Sequence, residues 1–238
     1  EIALIPQEPM ASFSPLHTIG YQMTEAILLH RETSKEQARA DAIDMLRSVG
    51  VPAPEERIDA YSWQLSGGLR QRAMIALSLC CNPRLLIADE PTTALDVTTQ
   101  AQVLLLLRRL QEQHGMAIIL ITHDLGVVAQ VADYVVVMYL GRVVEQGPAE
   151  AIFKTPKHPY TQALLRSMPT VHSASRQPLP SIRGSVPSPF RRPSGCPFHT
   201  RCDQAIKGTC DVVTPELIQV TDQQLASCVL YESQASAV

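Results

Sequence analysis

One stretch, Leu65 to Asp96, constrains the fold of this chain more than any other part of its sequence. It reads LSGGLRQRAMIALSLCCNPRLLIADEPTTALD. A Ser-Gly-Gly turn opens a helix, an apolar strand ends in Asp89-Glu90, a Pro-Thr-Thr bend follows, and Leu95-Asp96 closes the stretch. Glycines at a helix start leave backbone N–H groups free to face an anion. Carboxylates at the carboxyl end of a strand lie where open α/β sheets bind ligands. The stretch therefore predicts a phosphate-handling site in an α/β fold.

Helical and strand-like segments follow one another in an informative order. Helices are predicted over Ile19–Leu29 and Ser34–Val49, and alternating strands and helices come after them. The segments Tyr134–Leu140 and Arg142–Gln146 flank Gly141 as a hairpin. This order predicts an α/β core with a mostly parallel sheet. Continuous apolar strands such as AIILIT indicate a sheet that is covered on both faces.

Composition narrows the class of protein. The chain has 238 residues, of which 45% are hydrophobic, so it can support one sizeable domain and a smaller appendage. A formal net charge of −3 gives no electrostatic reason to expect a nucleic-acid partner. No apolar run approaches the roughly 18 residues that cross a bilayer. We therefore expect neither a membrane span nor a secretory leader.

Four polar residues suit the same phosphate chemistry. Asp89 is placed to hold Mg²⁺, and Glu90 is placed to polarise an attacking water. His123 ends the next strand, so it should lie at the same sheet edge as Glu90, where an imidazole could contact a γ-phosphate. Gln7 ends the first apolar run, and its amide could reach the metal or the water. Each residue alone has an ordinary structural explanation, but together with the glycine turn they make coincidence improbable.

The combination resembles the ATPase subunit of an ABC transporter. LSGGLRQR resembles the family signature, and LLIADEP resembles the Walker B strand with its catalytic glutamate. TTALD resembles the D-loop, ITHD resembles the switch-histidine segment, and IPQEP resembles the Q-loop. The resemblance covers about Glu1 to Gly147 and implies a P-loop NTPase-type, RecA-like core with a helical subdomain. It implies ATP and Mg²⁺ as cofactors, with Glu90 and His123 as catalytic residues and Gln7 and Asp89 at the Mg²⁺ ion. The residues implied to bind the cofactor are Gln7, Ser66, Gly67, Gly68, Gln71, Asp89 and Asp96.

The resemblance also implies partners. Two such subunits are expected to pair head to tail, as a homodimer or a heterodimer. In that pair Ser66, Gly67 and Gly68 grip the γ-phosphate of ATP held by the other subunit. Gln7 and the helical block after it resemble the part that touches two transmembrane permease subunits, and a periplasmic or extracellular solute-binding protein is expected as well. The implied location is the cytoplasmic face of the bacterial inner membrane, as a peripheral subunit.

One element of the family pattern is missing from these residues. The sequence G-x-x-x-x-G-K-[S/T], which forms the Walker A phosphate loop, occurs nowhere in the chain. In the family this loop precedes the Q-loop, so we expect it before Glu1 and interpret the chain as N-terminally truncated. We expect the chain alone neither to bind ATP tightly nor to hydrolyse it.

Two segments narrow the transported substrate. MIALSLCCNPRLLIADEPTTALDVTTQAQVL resembles the dipeptide and oligopeptide ATPases, and HPYTQALLRSMP, which starts at His158, resembles a segment that follows their ATPase core. Import of dipeptides or oligopeptides is the expected function. Import of nickel, opines or glutathione by the same kind of subunit is an alternative, as is a truncated remnant without ATPase activity. A soluble, non-transport ABC ATPase should carry two ATPase cores or a long coiled-coil insertion, and neither is visible in these residues.

Four cysteines cluster in the last fifth of the chain with the spacing C-x5-C-x7-C-x17-C: Cys196, Cys202, Cys210 and Cys228. In a leaderless nucleotide-handling protein this set favours metal binding over disulfide bonds. Four thiolates suit either an iron–sulfur cubane or a tetrahedral zinc ion, and the spacing alone does not choose. The set resembles the C-terminal extension of peptide and nickel transporter ATPases, which implies a [4Fe–4S] cluster. Zinc, or no stable metal, remains open.

These observations predict three parts. A partial ABC ATPase domain covers residues 1–150, with a helical subdomain at about 10–80 and a RecA-like core at about 81–150. An extension and a linker rich in Pro, Ser and Arg cover 151–194, and we expect the linker arginines, including Arg183, to be solvated. A cysteine-rich, iron–sulfur segment covers 195–238.

Overall fold

The structure, a computed structural model, describes residues 1–8, 12–93, 95–168 and 181–232. Parts of the predicted linker, the end of the cysteine-rich segment and the last residue of IPQEP lie outside these ranges. The chain forms two compact units, Glu1–His123 and Asp124–Val238. The three-part division drawn from the sequence stays a prediction.

The first unit is built on a three-stranded parallel sheet in the order β1-β2-β3. Its strands are β1 Ile2–Ile5, β2 Leu85–Asp89 and β3 Ala117–Ile121. The register pairs Asp89 with Ile121, so β2 and β3 end together at one edge of the sheet. The predicted α/β core with a parallel sheet is therefore confirmed in this unit.

In the part of this unit that the structure describes, five α-helices accompany the sheet: α1 Ile19–His30, α2 Lys35–Ser48, α3 Pro54–Arg57, α4 Gly67–Leu79 and α5 Val97–His114. Local capping explains where they begin and end. Ser34 caps α2, because its hydroxyl accepts the Gln37 N–H at 3.1 Å. Gly115 ends α5 in a left-handed conformation, with φ +62°, which glycine adopts without a steric penalty.

One apolar core joins the helices to a single face of this sheet. The fully buried side chains from the strands and α4 include Ile5, Leu86, Ala88, Ile75 and Leu79. The opposite face is substantially exposed, at 68% for Ile2, 54% for Leu4, 49% for Ile119 and 47% for Ile121. The prediction that both faces are covered is therefore wrong for the described residues. The cause is that no described element packs on the outer face, although the strands are apolar on both sides.

The second unit contains a four-stranded antiparallel sheet in the order β4-β5-β7-β6. Its strands are β4 Tyr134–Tyr139, β5 Arg142–Pro148, β6 Ile218–Thr221 and β7 Gln224–Ala226. The strands β4 and β5 form the predicted hairpin around Gly141. The other two strands lie inside the cysteine-rich segment, where the sequence pattern predicted no strand.

Within the described residues, three α-helices complete the second unit: α6 Leu125–Val131, α7 Ala149–Lys154 and α8 Pro159–Arg166. None of the helices in the described ranges combines the length with the apolar character of a bilayer-crossing segment. The rings of Tyr139, Tyr160 and Phe198 pack against one another, with centroids 4.8 to 5.3 Å apart. These rings form the apolar centre against which the cysteine-rich segment folds.

The described end of the predicted linker is anchored rather than free. Arg201 is largely buried, and its Nε donates to the Arg183 carbonyl at 2.9 Å. The Arg183 guanidinium donates to the Cys202 carbonyl and pairs with Asp203 at 3.2 Å. Arg183 is exposed, as expected for a solvated linker residue, and it makes these contacts as well.

Gly20 in α1 offers a test of the first unit's packing. A Cβ at this position would lie 2.4 Å from Ile58 Cγ1 and 2.8 Å from the Ile58 carbonyl oxygen. Because the Ile58 backbone cannot give way easily, we predict that Gly20→Ala lowers the free energy of unfolding by about 1–3 kcal/mol in urea titrations. Gly67→Ala is the matched control, since that helical glycine has nothing within 4 Å of its Cβ. Equal losses in both variants would contradict the close contact.

Candidate functional site

The first candidate site lies at the carboxyl edge of the parallel sheet. Asp89 is the last residue of β2, and Glu90 follows it with a left-handed backbone, φ +45°. A residue with a Cβ disfavours this conformation. The Glu90 N–H donates to the Ile121 carbonyl at 2.9 Å, so the pairing of β2 with β3 continues one residue past the strand. This hydrogen bond fixes the position from which the Glu90 side chain starts.

Three side chains donate hydrogen bonds to the Glu90 carboxylate. His123 Nδ1 lies 2.8 Å from Oε1, the Thr93 hydroxyl lies 2.7 Å from Oε2, and the Gln7 amide nitrogen lies 3.4 Å from Oε2. The structure thus brings Gln7 together with Glu90 and His123, and the last two are the residues predicted to share one sheet edge. Thr93 was missed. The sequence feature that could have identified Thr93 is its position three residues after Glu90 in a tight bend, where its hydroxyl can contact the Glu90 carboxylate.

These contacts set the charge of Glu90. The hydrogen bond from His123 is the largest cause of its lowered pKa, followed by the one from Thr93, and Gln7 contributes less. A lowered pKa keeps the carboxylate ionised at neutral pH, so it can accept a hydrogen bond from a water molecule. The Gln7 contact is the longest of the three and therefore the weakest. A water that approaches the carboxylate displaces Gln7 most easily.

The glycine turn lies at the start of α4. Ser66 is the N-cap residue, but its hydroxyl makes no capping hydrogen bond, and Ser66 and Gly67 are both exposed. A Cβ at Gly68 would lie 3.3 Å from Thr99 Cγ2, so this turn is close to the first turn of α5. The N-terminal N–H groups of a helix have no partner within the helix, and its dipole attracts anions. The turn can therefore receive a phosphate.

Two further predicted residues have visible structural roles. The Asp96 carboxylate caps α5 by accepting the N–H groups of Thr98 and Thr99, both at 3.0 Å. The Thr99 hydroxyl donates to the same carboxylate at 2.7 Å and is the largest cause of the lowered Asp96 pKa. Gln71 is 2% exposed, and its Nε2 donates to the Pro91 carbonyl at 2.7 Å. Asp96 therefore has a structural role as a helix cap, and Gln71 has one as a hydrogen-bond donor to the bend. A direct contact of either residue with a nucleotide stays a prediction.

The second candidate site is in the second unit, where all four C-terminal cysteines line one cavity of about 10 Å³. A cavity of this size has room for about one water molecule. Each cysteine is buried, and all six thiols of the chain are free. Burial raises the pKa of Cys196, Cys202 and Cys228, the last to about 11. These three thiols are therefore protonated at neutral pH as they are packed here.

Backbone N–H groups point at these sulfurs. The Gln204 N–H donates to Cys202 Sγ at 3.4 Å, and the Ile206 N–H donates to Cys210 Sγ at 3.2 Å. Backbone hydrogen bonds from Phe198 and Leu230 likewise oppose the rise in the pKa of Cys196 and Cys228, respectively. Such donors stabilise a thiolate more than a thiol.

The arrangement is nevertheless not a coordination sphere. In the described ranges, no group of three or more His, Cys, Asp or Glu side chains is placed to hold a metal ion. The structure therefore does not support the predicted [4Fe–4S] cluster. The donor set fits such a group chemically, since four cysteines share one cavity and have backbone donors.

The fold and the sheet-edge site define an ATP-binding cassette. The ABC transporter family matches residues 1–93. The dimeric post-hydrolysis state of the ATP-binding cassette MJ0796, bound to ADP and Pi, superposes with a TM-score of 0.54 at 29% identity, covering 63% of each chain. The cbiO1 protein of Clostridium perfringens, part of the ABC transporter complex cbiONQ, gives 0.57 at 28% identity over 65% of this chain and 59% of that one.

Sequence relatives identify the particular family. The C-terminal region of the oligopeptide/dipeptide transporter family matches residues 144–210. The dipeptide transport ATP-binding protein DppD of Escherichia coli (strain K12) is 49% identical over 96% of this chain and 69% of its own length. The oligopeptide transport ATP-binding protein AppD of Bacillus subtilis (strain 168) is 47% identical over 99% and 71%. The chain belongs to this family of dipeptide and oligopeptide ABC transporter ATP-binding proteins, which confirms the resemblance drawn from its motifs.

The role of Thr93 can be tested by titration. We predict that Thr93→Val raises the pKa of Glu90, because the change keeps the side-chain shape and removes the 2.7 Å hydrogen bond to the ionised carboxylate. The measurement is an NMR titration of the carboxyl carbons. Thr99→Val is the control, since it removes an equally short bond to Asp96 and should leave Glu90 unchanged. A Glu90 pKa that does not respond to Thr93→Val would contradict the assignment.

Proposed function

We propose that this chain is the ATP-hydrolysing subunit of an ABC importer that takes up dipeptides or oligopeptides. The observation that carries the proposal is the 47–49% identity to DppD and AppD, which extends over nearly the whole chain, from the ATPase motifs to the cysteine-rich segment. Import of nickel, opines or glutathione by the same kind of subunit is the alternative. A transport assay distinguishes peptide import from this alternative, because the two functions differ only in the transported substrate.

The sheet-edge residues suit the chemistry of ATP hydrolysis. When bound, Mg²⁺ and ATP supply the metal charge and the phosphoryl group, and Asp89 and Gln7 offer the oxygen ligands that Mg²⁺ prefers. Glu90 holds the attacking water through its ionised carboxylate. His123 keeps Oε1 oriented through its 2.8 Å contact, while Gln7 releases Oε2. These roles follow from the lengths of the hydrogen bonds to the Glu90 carboxylate: the contacts of His123 and Thr93 are short, and that of Gln7 is the longest.

The site of this chain is composite. The 238 residues contain no G-x-x-x-x-G-K-[S/T]. We propose that the phosphate loop that Asp89 and Glu90 serve is supplied from outside these residues. We accordingly propose that these residues alone bind ATP weakly. The catalytic carboxylate, the histidine and the glutamine are already assembled without that loop.

The glycine turn is proposed to serve a second subunit. No described hydrogen bond joins Ser66, Gly67 or Gly68 to the Glu90 carboxylate, and the turn is exposed at the start of a 13-residue helix. We propose that it binds the γ-phosphate of ATP held by another ATPase subunit in a head-to-tail pair. Two permease subunits, a solute-binding protein and a peripheral position on the cytoplasmic face of the inner membrane complete the importer.

We further propose that the four cysteines bind a [4Fe–4S] cluster, with zinc as the alternative metal. Their common cavity and the backbone donors to sulfur support this. The thiol groups have to move apart and lose their protons, since ligation requires thiolates and the cavity now has room for about one water molecule. The cluster would act as a structural or regulatory element of the second unit.

Glu90→Gln tests the transport function. In cells whose peptide uptake depends on this protein, we predict that the variant slows uptake of a labelled dipeptide by about 10²–10⁴-fold, because the water loses its carboxylate acceptor while Asp89 is unchanged. Glu112→Gln is the control, an exposed glutamate on α5 whose ion pair with Arg108 is 3.7 Å long. Normal uptake in Glu90→Gln would refute its role. Uptake of nickel or glutathione instead of peptides by the wild type would refute the substrate class.

Iron analysis tests the cysteine site. We predict that the chain purified without oxygen, or reconstituted with Fe²⁺ and sulfide, contains about four iron atoms and shows visible sulfur-to-iron charge-transfer absorption. Cys202→Ser should lose most of that iron. Cys81→Ser, which changes a partly buried thiol of the first unit, should retain it. Zinc at one ion per chain would establish the alternative, and a metal-free chain would refute the site.

A further inference from the structure

His158 lies in the same cavity as the four cysteines, and no motif spacing assigns it to them. The residue is 1% exposed and directly precedes α8. Within the described residues, its Nε2 is buried and has no hydrogen-bond partner. Native proteins rarely leave a buried polar atom unpaired, so this atom calls for an explanation.

The hydrogen bonds around His158 fix both its position and its tautomer. Its backbone N–H donates to Glu145 Oε2 at 2.9 Å, and the Lys157 N–H donates to Glu145 Oε1 at 2.6 Å. The ring Nδ1 accepts the Tyr160 N–H at 3.0 Å, so Nδ1 carries no proton. A neutral imidazole then has its proton on Nε2. The unpaired atom is therefore an N–H donor in the cavity of the thiols.

Two other side chains of the cavity carry N–H groups that make hydrogen bonds. His199 Nδ1 lies 2.9 Å from the Cys196 carbonyl and donates to it. The Gln204 amide donates to Gln162 Oε1 at 3.1 Å. The backbone of Ser227 is near the His158 ring but does not reach hydrogen-bond geometry with Nε2. Among the described cavity residues, His158 is thus the one whose buried side-chain nitrogen has no hydrogen-bond partner.

We infer that His158 is the internal hydrogen-bond donor of the four-cysteine site. Its Nε2–H donates to a cysteine sulfur once metal binding has replaced the thiol protons. A neutral thiol is a weak acceptor, whereas a buried thiolate is charged and accepts strongly. This role rests on the metal site proposed above. His158 acts through the cysteines and is a positioning residue, not a metal ligand.

Pulsed EPR on the wild-type chain tests the contact directly. The full 238-residue chain, labelled with [¹⁵N]histidine, is reconstituted with Fe²⁺ and sulfide and then reduced. We expect a weak nitrogen coupling of the kind that a hydrogen-bonded ring gives. The coupling should disappear in His158→Asn and persist in His199→Asn. A missing coupling in the loaded wild type would overturn the inference, and so would the strong coupling of a directly bound nitrogen.

The reduction potential of the cluster separates donation from folding. His158→Asn keeps an acceptor for the Tyr160 N–H but does not reach Nε2, whereas His158→Gln places an amide N–H near that atom. Because hydrogen bonds to sulfur raise cluster potentials, the Asn variant should have a lower midpoint potential than the wild type, and the Gln variant should recover part of the difference. The melting temperature of each variant reports the capping role separately.

The outcomes separate this inference from the proposed metal site. A wild-type chain that takes up no iron overturns the site and the His158 role together. A loaded chain whose potential is the same in the wild type, His158→Asn and His158→Gln overturns the role alone. In that case the unpaired Nε2 would be explained by the way His158 packs at the start of α8.

Discussion

The sheet-edge site depends on one backbone hydrogen bond, from the Glu90 N–H to the Ile121 carbonyl at 2.9 Å. It extends the pairing of two parallel strands past the end of β2, at a backbone conformation that a residue with a Cβ disfavours. His123 follows two residues after Ile121 and therefore comes within 2.8 Å of the carboxylate. A register shift of one residue would turn Glu90 toward the other face of the sheet. The carboxylate–imidazole pair is thus a consequence of strand register.

The bend after Glu90 connects this carboxylate to the helix that presents the glycine turn. Thr93 donates back to Glu90 at 2.7 Å, and the Pro91 carbonyl accepts the buried Gln71 amide at 2.7 Å. Gln71 lies in α4, whose first residues are Gly67 and Gly68. If the bend moves, either the bond from Gln71 breaks inside the core or α4 follows. Breaking a buried hydrogen bond is unfavourable, so the Glu90 carboxylate and the start of α4 are mechanically linked.

The sequence predicted the features whose causes are local. Ser34 and Gly115 mark helix ends because caps act within a few residues, and Glu90 meets His123 because parallel strands end at one edge. The hydrogen bond from the Gln71 side chain to the Pro91 carbonyl could not be predicted. Every residue has a backbone carbonyl, so the sequence does not show which one accepts. The strands β6 and β7 have four and three residues, and β7 pairs with distant β5 while β6 pairs with β7, so no periodicity could reveal them. The exposed outer face of the parallel sheet was missed because a continuous apolar strand does not tell what packs on each of its faces.

The sequence predicted which cysteines form the cluster, but it could not predict how they pack. Cys196 and Cys202 pack with Phe198 and Tyr139 as part of an apolar core, and burial raises the pKa of both thiols. In this packing they behave as small hydrophobic residues. Backbone N–H groups stabilise thiolates, so they favour metal binding only after the protons leave. In the metal site proposed above, the same cavity would change from core to ligand set, and donors such as His158 would gain a strong acceptor only in the ligated form.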